Sequence, residues 1–217
     1  YTDEMPVKIP LSQNKEFKSV KNMIINQAMN IVLEKDVFDD DDEMIEKEFE
    51  QAEEYDNEQF EFTNNSIEDL YKQAQNNNSY AQYKLGKMYL KGEGVNQDAE
   101  YGARWLLKAI KQNNNYAQYL LGKAILKGEY LPMDNNLPLD IDSAVELLLK
   151  SSDQGNELAS YTLGKAFIEG DLLPQDISAG FELLLKASEK NCVLALYYLG
   201  KMFYKGIGVI KDIDTAI

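Results

Sequence analysis

Residues 81–87 read Ala81-Gln82-Tyr83-Lys84-Leu85-Gly86-Lys87, and the phrase comes back three times. It recurs as Ala117-Gln118-Tyr119-Leu120-Leu121-Gly122-Lys123, as Ala159-Ser160-Tyr161-Thr162-Leu163-Gly164-Lys165, and as Ala195-Leu196-Tyr197-Tyr198-Leu199-Gly200-Lys201. The steps between the alanines are 36, 42 and 36 residues. A period in this range means a stacked array of one supersecondary unit, and not a closed globule built around one active site. The function to look for is therefore an extended surface that binds something.

Each unit reads as two helices. In residues 81–90, Ala81, Leu85 and Met88 fall at helical spacing. Glycine follows each first helix, at Gly92, Gly128, Gly170 and Gly206. It supplies the left-handed residue that closes a last turn. The second helix opens at Asp98, Asp140, Asp176 and Asp212. An aspartate there can accept the free N–H groups of the first turn, worth about 1 kcal/mol. The apolar bodies are Trp105-Leu106-Leu107, Leu147-Leu148-Leu149 and Leu183-Leu184-Leu185, followed by Lys108, Lys150 and Lys186. The exits are Asn113, Gly155 and Asn191, residue types that tolerate the left-handed conformation. Gly86, Gly122, Gly164 and Gly200 lie inside the first helices, where glycine costs about 1 kcal/mol against alanine. The simplest reason is a neighbouring helix that crosses there and leaves no room for a side chain.

The frame extends both ways. Thr63 aligns with the capping aspartates, and Leu70, Tyr71 and Ala74 align with Trp105, Leu106 and Ala109. The fourth unit reaches only Ile217, inside its second helix, and position 1 is tyrosine. The expectation is a piece of a longer protein in three parts. Residues 1–36 form an extended entry and an amphipathic helix, and residues 37–62 a flexible acidic linker. The repeats occupy 63–217, as a half unit 63–80, units 81–116, 117–158 and 159–194, and a truncated unit 195–217.

The motif Ala-x-x-x-Leu-Gly-x-x-Tyr/Phe-x-x-Gly-x-Gly-Val, then Asp, then a helix ending in Lys-Ala, resembles the Sel1-like repeat. Residues 81–116 carry it with Leu85, Gly86, Tyr89, Gly92, Gly94, Val95, Asp98, Trp105, Lys108 and Ala109. The resemblance implies an all-α fold, a right-handed α-solenoid of helix-turn-helix repeats in the tetratricopeptide-like superhelix class. It also implies a scaffold or adaptor without a shared reaction, with the first helices on the concave face. The second unit departs by an insertion around Leu131–Leu139, and the third has Asp171-Leu172-Leu173-Pro174 in place of the second glycine. These loops should differ in shape while the helices do not.

Composition narrows the chemistry. The 217 residues include no histidine and one cysteine. Ser–His, Cys–His and His-ligated metal sites are thereby excluded from these residues. No nucleophile with a base, acid–base pair or phosphate loop appears, so catalysis is not expected and no cofactor is implied. Cys192 aligns with Asn114 and Asn156 in an inter-repeat turn and reads as an incidental surface or half-buried thiol. A lone cysteine gives no disulfide framework and fits a reducing compartment, the cytoplasm. No run approaches the roughly 20 apolar residues of a membrane span.

The net charge of −15 is unevenly placed. Residues 34–61 hold 15 acidic and 2 basic side chains. Nucleic acid is not expected as a direct partner, because phosphate recognition needs lysine and arginine. Asp39-Asp40-Asp41-Asp42-Glu43 invites a calcium reading, but the loop pattern needs a glycine at its sixth position. The first glycine of the chain is Gly86, so a solvated linker is the reading adopted. Upstream, Ser12 can cap a helix to about Lys35 with Phe17, Val20, Ile24, Ala28 and Ile31 near one face. Such a helix covers the apolar end of the stack or docks on another protein. Residues 9–32 also resemble segments that follow the relaxase domain in plasmid mobilisation proteins of Gram-positive bacteria. This implies a second function class, a regulatory or targeting module of a larger enzyme.

The candidate binding face follows from the repeat. Tyr83, Tyr119, Tyr161 and Tyr197 form one row, and Lys87, Lys123, Lys165 and Lys201 form another one turn on. Residues at i and i+4 share a helix face. The tyrosines can fill inter-repeat packing and the lysines can be solubilising charge. The functional reading is a groove for a protein or an acidic or carboxylate-ended peptide. Ammonium groups would take the carboxylates and phenol rings would supply apolar area.

Overall fold

The computed structural model describes residues 67–128 and 140–207. Among these there are eight helices and no strand. They are α1 (Ile67–Gln75), α2 (Ser79–Lys91), α3 (Ala99–Ile110), α4 (Asn115–Leu126), α5 (Ile141–Asp153), α6 (Glu157–Glu169), α7 (Ile177–Ser188) and α8 (Val193–Lys205). The expected all-α helical repeat is the fold. Expectations for residues 1–66, 129–139 and 208–217 lie outside the described residues. They include the N-terminal helix, the acidic stretch, the Thr63 and Asp212 caps and the inserted loop.

The chain divides into two compact units, one spanning Glu61–Leu163 and the other containing the described residues 164–207. In the first, α1 packs on α2, α2 on α3, α3 on α4 and α4 on α5. In the second, α7 packs on α8.

Local chemistry explains each helix end. Asp98 accepts from the Tyr101 N–H, Asp140 from Ser143 and Asp176 from Ala179, each at 2.9 Å. Gly92, Gly128, Gly170 and Gly206 take φ of 75°, 69°, 71° and 72°. The exits Asn77, Asn113, Gly155 and Asn191 take φ of 65°, 62°, 88° and 61°. The first helices have caps of their own, which the sequence reading passed over. Asn78 accepts from the Tyr80 and Ala81 N–H groups, Asn114 from Ala117 and Asn156 from Ala159. Cys192 stands at the fourth such position without a side-chain cap bond. It is 2 % exposed, more enclosed than the surface or half-buried thiol expected.

The helical glycines are crossing points. A Cβ on Gly86 would lie 2.6 Å from the Leu106 side chain, and one on Gly122 2.9 Å from Leu148 Cγ. Gly164 meets the carbonyl of Gly180 at 2.9 Å. The second helix also thins at these crossings, with Gly102 and Gly180, and Ala144 at the aligned place in α5. Leu85, Leu106, Leu121, Leu148, Leu184 and Leu199 are fully buried around them. Each contributes about 1.5–3 kcal/mol through burial.

A pair of buried glutamines locks adjacent helices into register in the first unit. Gln82 Nε2 donates to the Ala74 carbonyl at 3.0 Å, and its Oε1 accepts from Gln112 Nε2 at 2.7 Å. One repeat on, Gln118 Nε2 donates to Asn113 Oδ1 at 3.2 Å and its Oε1 accepts from Gln154 at 2.6 Å. At the third aligned position a serine serves, Ser160 Oγ lying 2.8 Å from Ser152 Oγ.

Two details adjust the sequence reading. Asn77 N–H bonds to the Ala74 carbonyl as Asn113 N–H bonds to that of Ile110, so Ala74 corresponds to Ile110, one residue from the alignment with Ala109. Leu70 correspondingly matches Leu106, and both are buried. The loop after α6 keeps the anchors of the loop after α2 despite its different sequence. Gln97 donates to the Leu90 carbonyl and Gln175 to that of Ile168, both at 2.8 Å. Asp98 N–H bonds to the Tyr89 carbonyl and Asp176 N–H to that of Phe167, both at 2.9 Å. The difference is confined to the middle. There Gly94 takes φ 71° in one loop, while Leu173 is buried in the other.

Candidate functional site

The first helices of the repeats are α2, α4, α6 and α8. Their charge is unlike that of the chain as a whole. α2 carries Lys84, Lys87 and Lys91, α4 carries Lys123, and α8 carries Lys201 and Lys205; none of the three holds an acidic residue. α6 holds Lys165 with Glu157 and Glu169. The second helices hold both signs, for example Glu100 beside Arg104 and Glu146 beside Lys150. Asparagine caps let α2 and α4 begin without first-turn carboxylates.

The four tyrosines of the expected row do not share one environment. Tyr83 and Tyr119 are half-buried, whereas Tyr161 and Tyr197 are 6 % and 4 % exposed. The four lysines are all half-buried. Lys123 Nζ sits 5.6 Å from the centroid of the Tyr119 ring, one turn back. Lys165 Nζ lies 3.7 Å from Glu169 Oε1, which also accepts from the Tyr198 hydroxyl at 3.2 Å.

On α2 and α4 the tyrosines connect across the repeat. Tyr83 lies between Tyr80 of its own helix, at 6.0 Å between ring centroids, and Tyr116 of the next repeat, at 5.8 Å. Both separations are within the range of favourable ring contact. Lys84 Nζ is 5.5 Å from the Tyr80 centroid, a cation–π distance. Burial raises the Tyr80 hydroxyl pKa, and the nearby Lys87 ammonium opposes the shift. Tyr116 is 42 % exposed, so this aromatic chain reaches solvent. The sequence reading missed Tyr80 and Tyr116 because it asked for identity in all four units. The aligned positions in the later units are Leu158 and Leu194. The shorter phrase Tyr-Ala-Gln-Tyr, at 80–83 and 116–119, was the signal available.

A second aromatic group sits where α1, α2 and α3 meet. Trp105 lies edge-on to Tyr71 and Tyr101, each at 6.1 Å, and Tyr89 is edge-on to Tyr101 at 4.7 Å. The Tyr71 and Tyr89 hydroxyls are hydrogen-bonded to each other. Burial and then this bond push the Tyr71 hydroxyl well above the usual phenol range. Lys108 Nζ caps the Trp105 ring at 4.0 Å. Trp105 Nε1 is buried with no hydrogen-bond partner. Trp105 packs in one cluster with Leu70, Ala74, Ala81 and Leu85, so this group is structural.

Among the described residues, no group of three or more His, Cys, Asp or Glu side chains could hold a metal ion. No helix among them is long and apolar enough to cross a membrane.

The family model described as Sel1 repeat matches residues 79–114, 115–156, 158–192 and 193–217, more than half of the chain. Two solved structures are similar. One is c5321, a protective antigen of uropathogenic Escherichia coli strains displaying an SLR fold. It is 25% identical with a TM-score of 0.61, over 70% of this chain and 32% of that one. The other is a Sel1 repeat protein from Oxalobacter formigenes, 25% identical with a TM-score of 0.59, over 69% of this chain and 58% of that one. The chain thus spans less than two thirds of either. No curated protein matches it.

Proposed function

This chain belongs to the Sel1 repeat family, and from that premise we propose that it is a non-catalytic scaffold holding an acidic peptide or protein segment on its first helices. Sel1 repeat proteins are generally protein–protein interaction modules. The observation that carries the finer reading is the Tyr80–Tyr83–Tyr116 chain on helices whose only charged side chains are lysines. Aromatic rings give contact area at little entropic cost, and lysines select for carboxylates. Tyr83 and Tyr119 are the more open tyrosines of the face, and Lys87 and Lys123 lie one turn on from them. Tyr161, Lys165, Tyr197 and Lys201 continue the pattern in the sequence. A single cysteine fits a cytoplasmic location.

The test is capture from a lysate by the chain and by a variant with Lys87→Glu, Lys123→Glu, Lys165→Glu and Lys201→Glu, with helicity checked by circular dichroism. A protein retained by the first and lost by the folded variant is the expected result. Equal capture by both would move the binding surface elsewhere.

A further inference from the structure

α8 is enclosed on a side that its counterparts leave open. In α4, Tyr116 is exposed and Tyr119 and Leu120 are half-buried. The aligned residues of α8 are Leu194, Tyr197 and Tyr198, and they are 2 %, 4 % and 7 % exposed. In α2 the same places, Tyr80, Tyr83 and Lys84, are half-buried. The three positions are spaced i, i+3 and i+4, so they form one stripe of the helix. It is the stripe that carries the tyrosine row.

The repeat itself does not account for this cover. α4 has α2, α3 and α5 as neighbours. The frame gives α8 at most the counterparts of these three, and in α4 they leave the stripe open. Leu194, Tyr197 and Tyr198 are therefore covered by chain from outside the frame. Three stretches lie outside the described residues. Residues 129–139 fall within the other compact unit. Residues 208–217 open the second helix of the fourth unit at Asp212, and its counterparts cross on the glycine side, Leu106 against Gly86 and Leu148 against Gly122. Residues 1–66 remain.

Within them the chemistry selects one stretch. The stripe is apolar and aromatic. Residues 34–61 hold 15 acidic side chains, and burying carboxylates against leucine and tyrosine rings is costly. Residues 12–35 instead place Phe17, Val20, Ile24, Ala28 and Ile31 near one face of a helix. Such a helix is marginal in water until that face is buried. Residues 36–66 join it to α1. They reach roughly 100 Å when extended, more than eight helices packed about 8–10 Å apart require.

We propose that residues 12–35 dock as an amphipathic helix on the α8 stripe of Leu194, Tyr197 and Tyr198, so that the chain fills the end of its own tyrosine row. A partner is then received at the open stripes of α2 and α4. That consequence rests on the scaffold reading above; the docking does not.

The experiment is hydrogen–deuterium exchange of the full chain, read peptide by peptide in a mass spectrometer. Residues 15–32 and α8 should both be protected, and dilution should not change this. Free in solvent, a helix of this length exchanges at once. Phe17→Asp with Ile24→Asp puts charge into the apolar contact. It should speed exchange in both segments about tenfold or more, while α2 and α4 keep their protection. Ser19→Asp with Asn26→Asp adds the same charge to the opposite face and should change neither segment. Tyr197→Ala should in turn speed exchange in residues 15–32. Fast exchange of 15–32 in the parent would overturn the proposal without any variant. An unchanged α8 in the Phe17 and Ile24 variant would give the cover to another segment. Equal effects of the two double variants would make the change one of charge and not of a face. Either result overturns the docking. Protection of α8 that falls on dilution would assign the cover to a second copy and overturn it too. Should the Phe17 and Ile24 variant lose protection in α2 and α4 as well, the Tyr197→Ala result decides. Lysate capture that is indifferent to the lysines would overturn the scaffold reading and leave the docking in place.

Discussion

A Cβ placed on Gly102 would lie 2.9 Å from the carbonyl oxygen of Gly86, and one placed on Gly86 would lie 3.0 Å from that of Gly102. The contact is reciprocal and partly with backbone, so neither helix can yield by a rotamer change. Gly102→Ala also meets the Leu90 N–H at 3.0 Å. It should cost about 1–3 kcal/mol, after an offset of up to about 1 kcal/mol from alanine's better helix propensity. Gly86→Ala should fall in the same range. Urea midpoints by circular dichroism test this, and unchanged midpoints would mean that the crossing has slack.

The glutamine pairs make a second prediction. Gln82→Ala removes the donor to the buried Ala74 carbonyl and one partner of Gln112. The expected loss is about 0.5–1.5 kcal/mol, the net worth of a buried hydrogen bond, because the Ala74 carbonyl keeps its bond from the Asn77 N–H. For Gln118 and Gln154 a double-mutant cycle should give a coupling of about 0.5–1.5 kcal/mol. A coupling near zero would make the 2.6 Å contact incidental.

Asp140 sets a pH dependence. Bonds from the Ser143 hydroxyl and then the Ser143 N–H lower its pKa from the ordinary aspartate value. A carboxylate depressed in the folded state stabilises above its unfolded pKa, about 3.9, and the contribution is lost as pH falls through the folded value. Asp140→Ala should therefore be less stable than the parent at pH 7, and the gap should close in strong acid. A gap that stays constant from pH 7 to pH 2 would sink this account of the cap.

Tyr71 works in the opposite direction. Its hydroxyl is raised above the ordinary value near 10 by burial and by the bond to Tyr89. The neutral form is the one that fits the fold. Its contribution is whole below the unfolded pKa and lost as pH rises from there towards the higher folded value. Absorbance titration at 295 nm should show a late-ionising fraction that Tyr71→Phe reduces, the raised Tyr80 hydroxyl contributing to what is left. The same late fraction in Tyr71→Phe would assign the shift to another ring.

The repeat period, the two-helix unit, the aspartate caps, the left-handed glycines and asparagines and the glycine crossings were all legible in residues 81–206. The caps and left-handed exits are short-range devices in which one residue type meets a need of the adjacent backbone, and the period and crossing glycines show because the same phrase recurs. The first-helix caps were equally legible at Asn78, Asn114 and Asn156, but the aligned Cys192 broke the pattern. The candidate face was legible only in part. Spacing placed the tyrosines and lysines on first helices, yet burial separated Tyr83 and Tyr119 from Tyr161 and Tyr197.

By itself the sequence determined the architecture, because helix ends are written in residues a few positions apart, crossing points are marked by glycines inside the first helices, and the repeat multiplies the signal. Only the tertiary structure decided that Tyr83 bridges Tyr80 and Tyr116, that Gln112 reaches Gln82 from 30 residues away, and that Trp105 closes over Tyr71. Those contacts join separate helices. Their distances follow from how whole helices pack, a property that no local stretch of sequence carries.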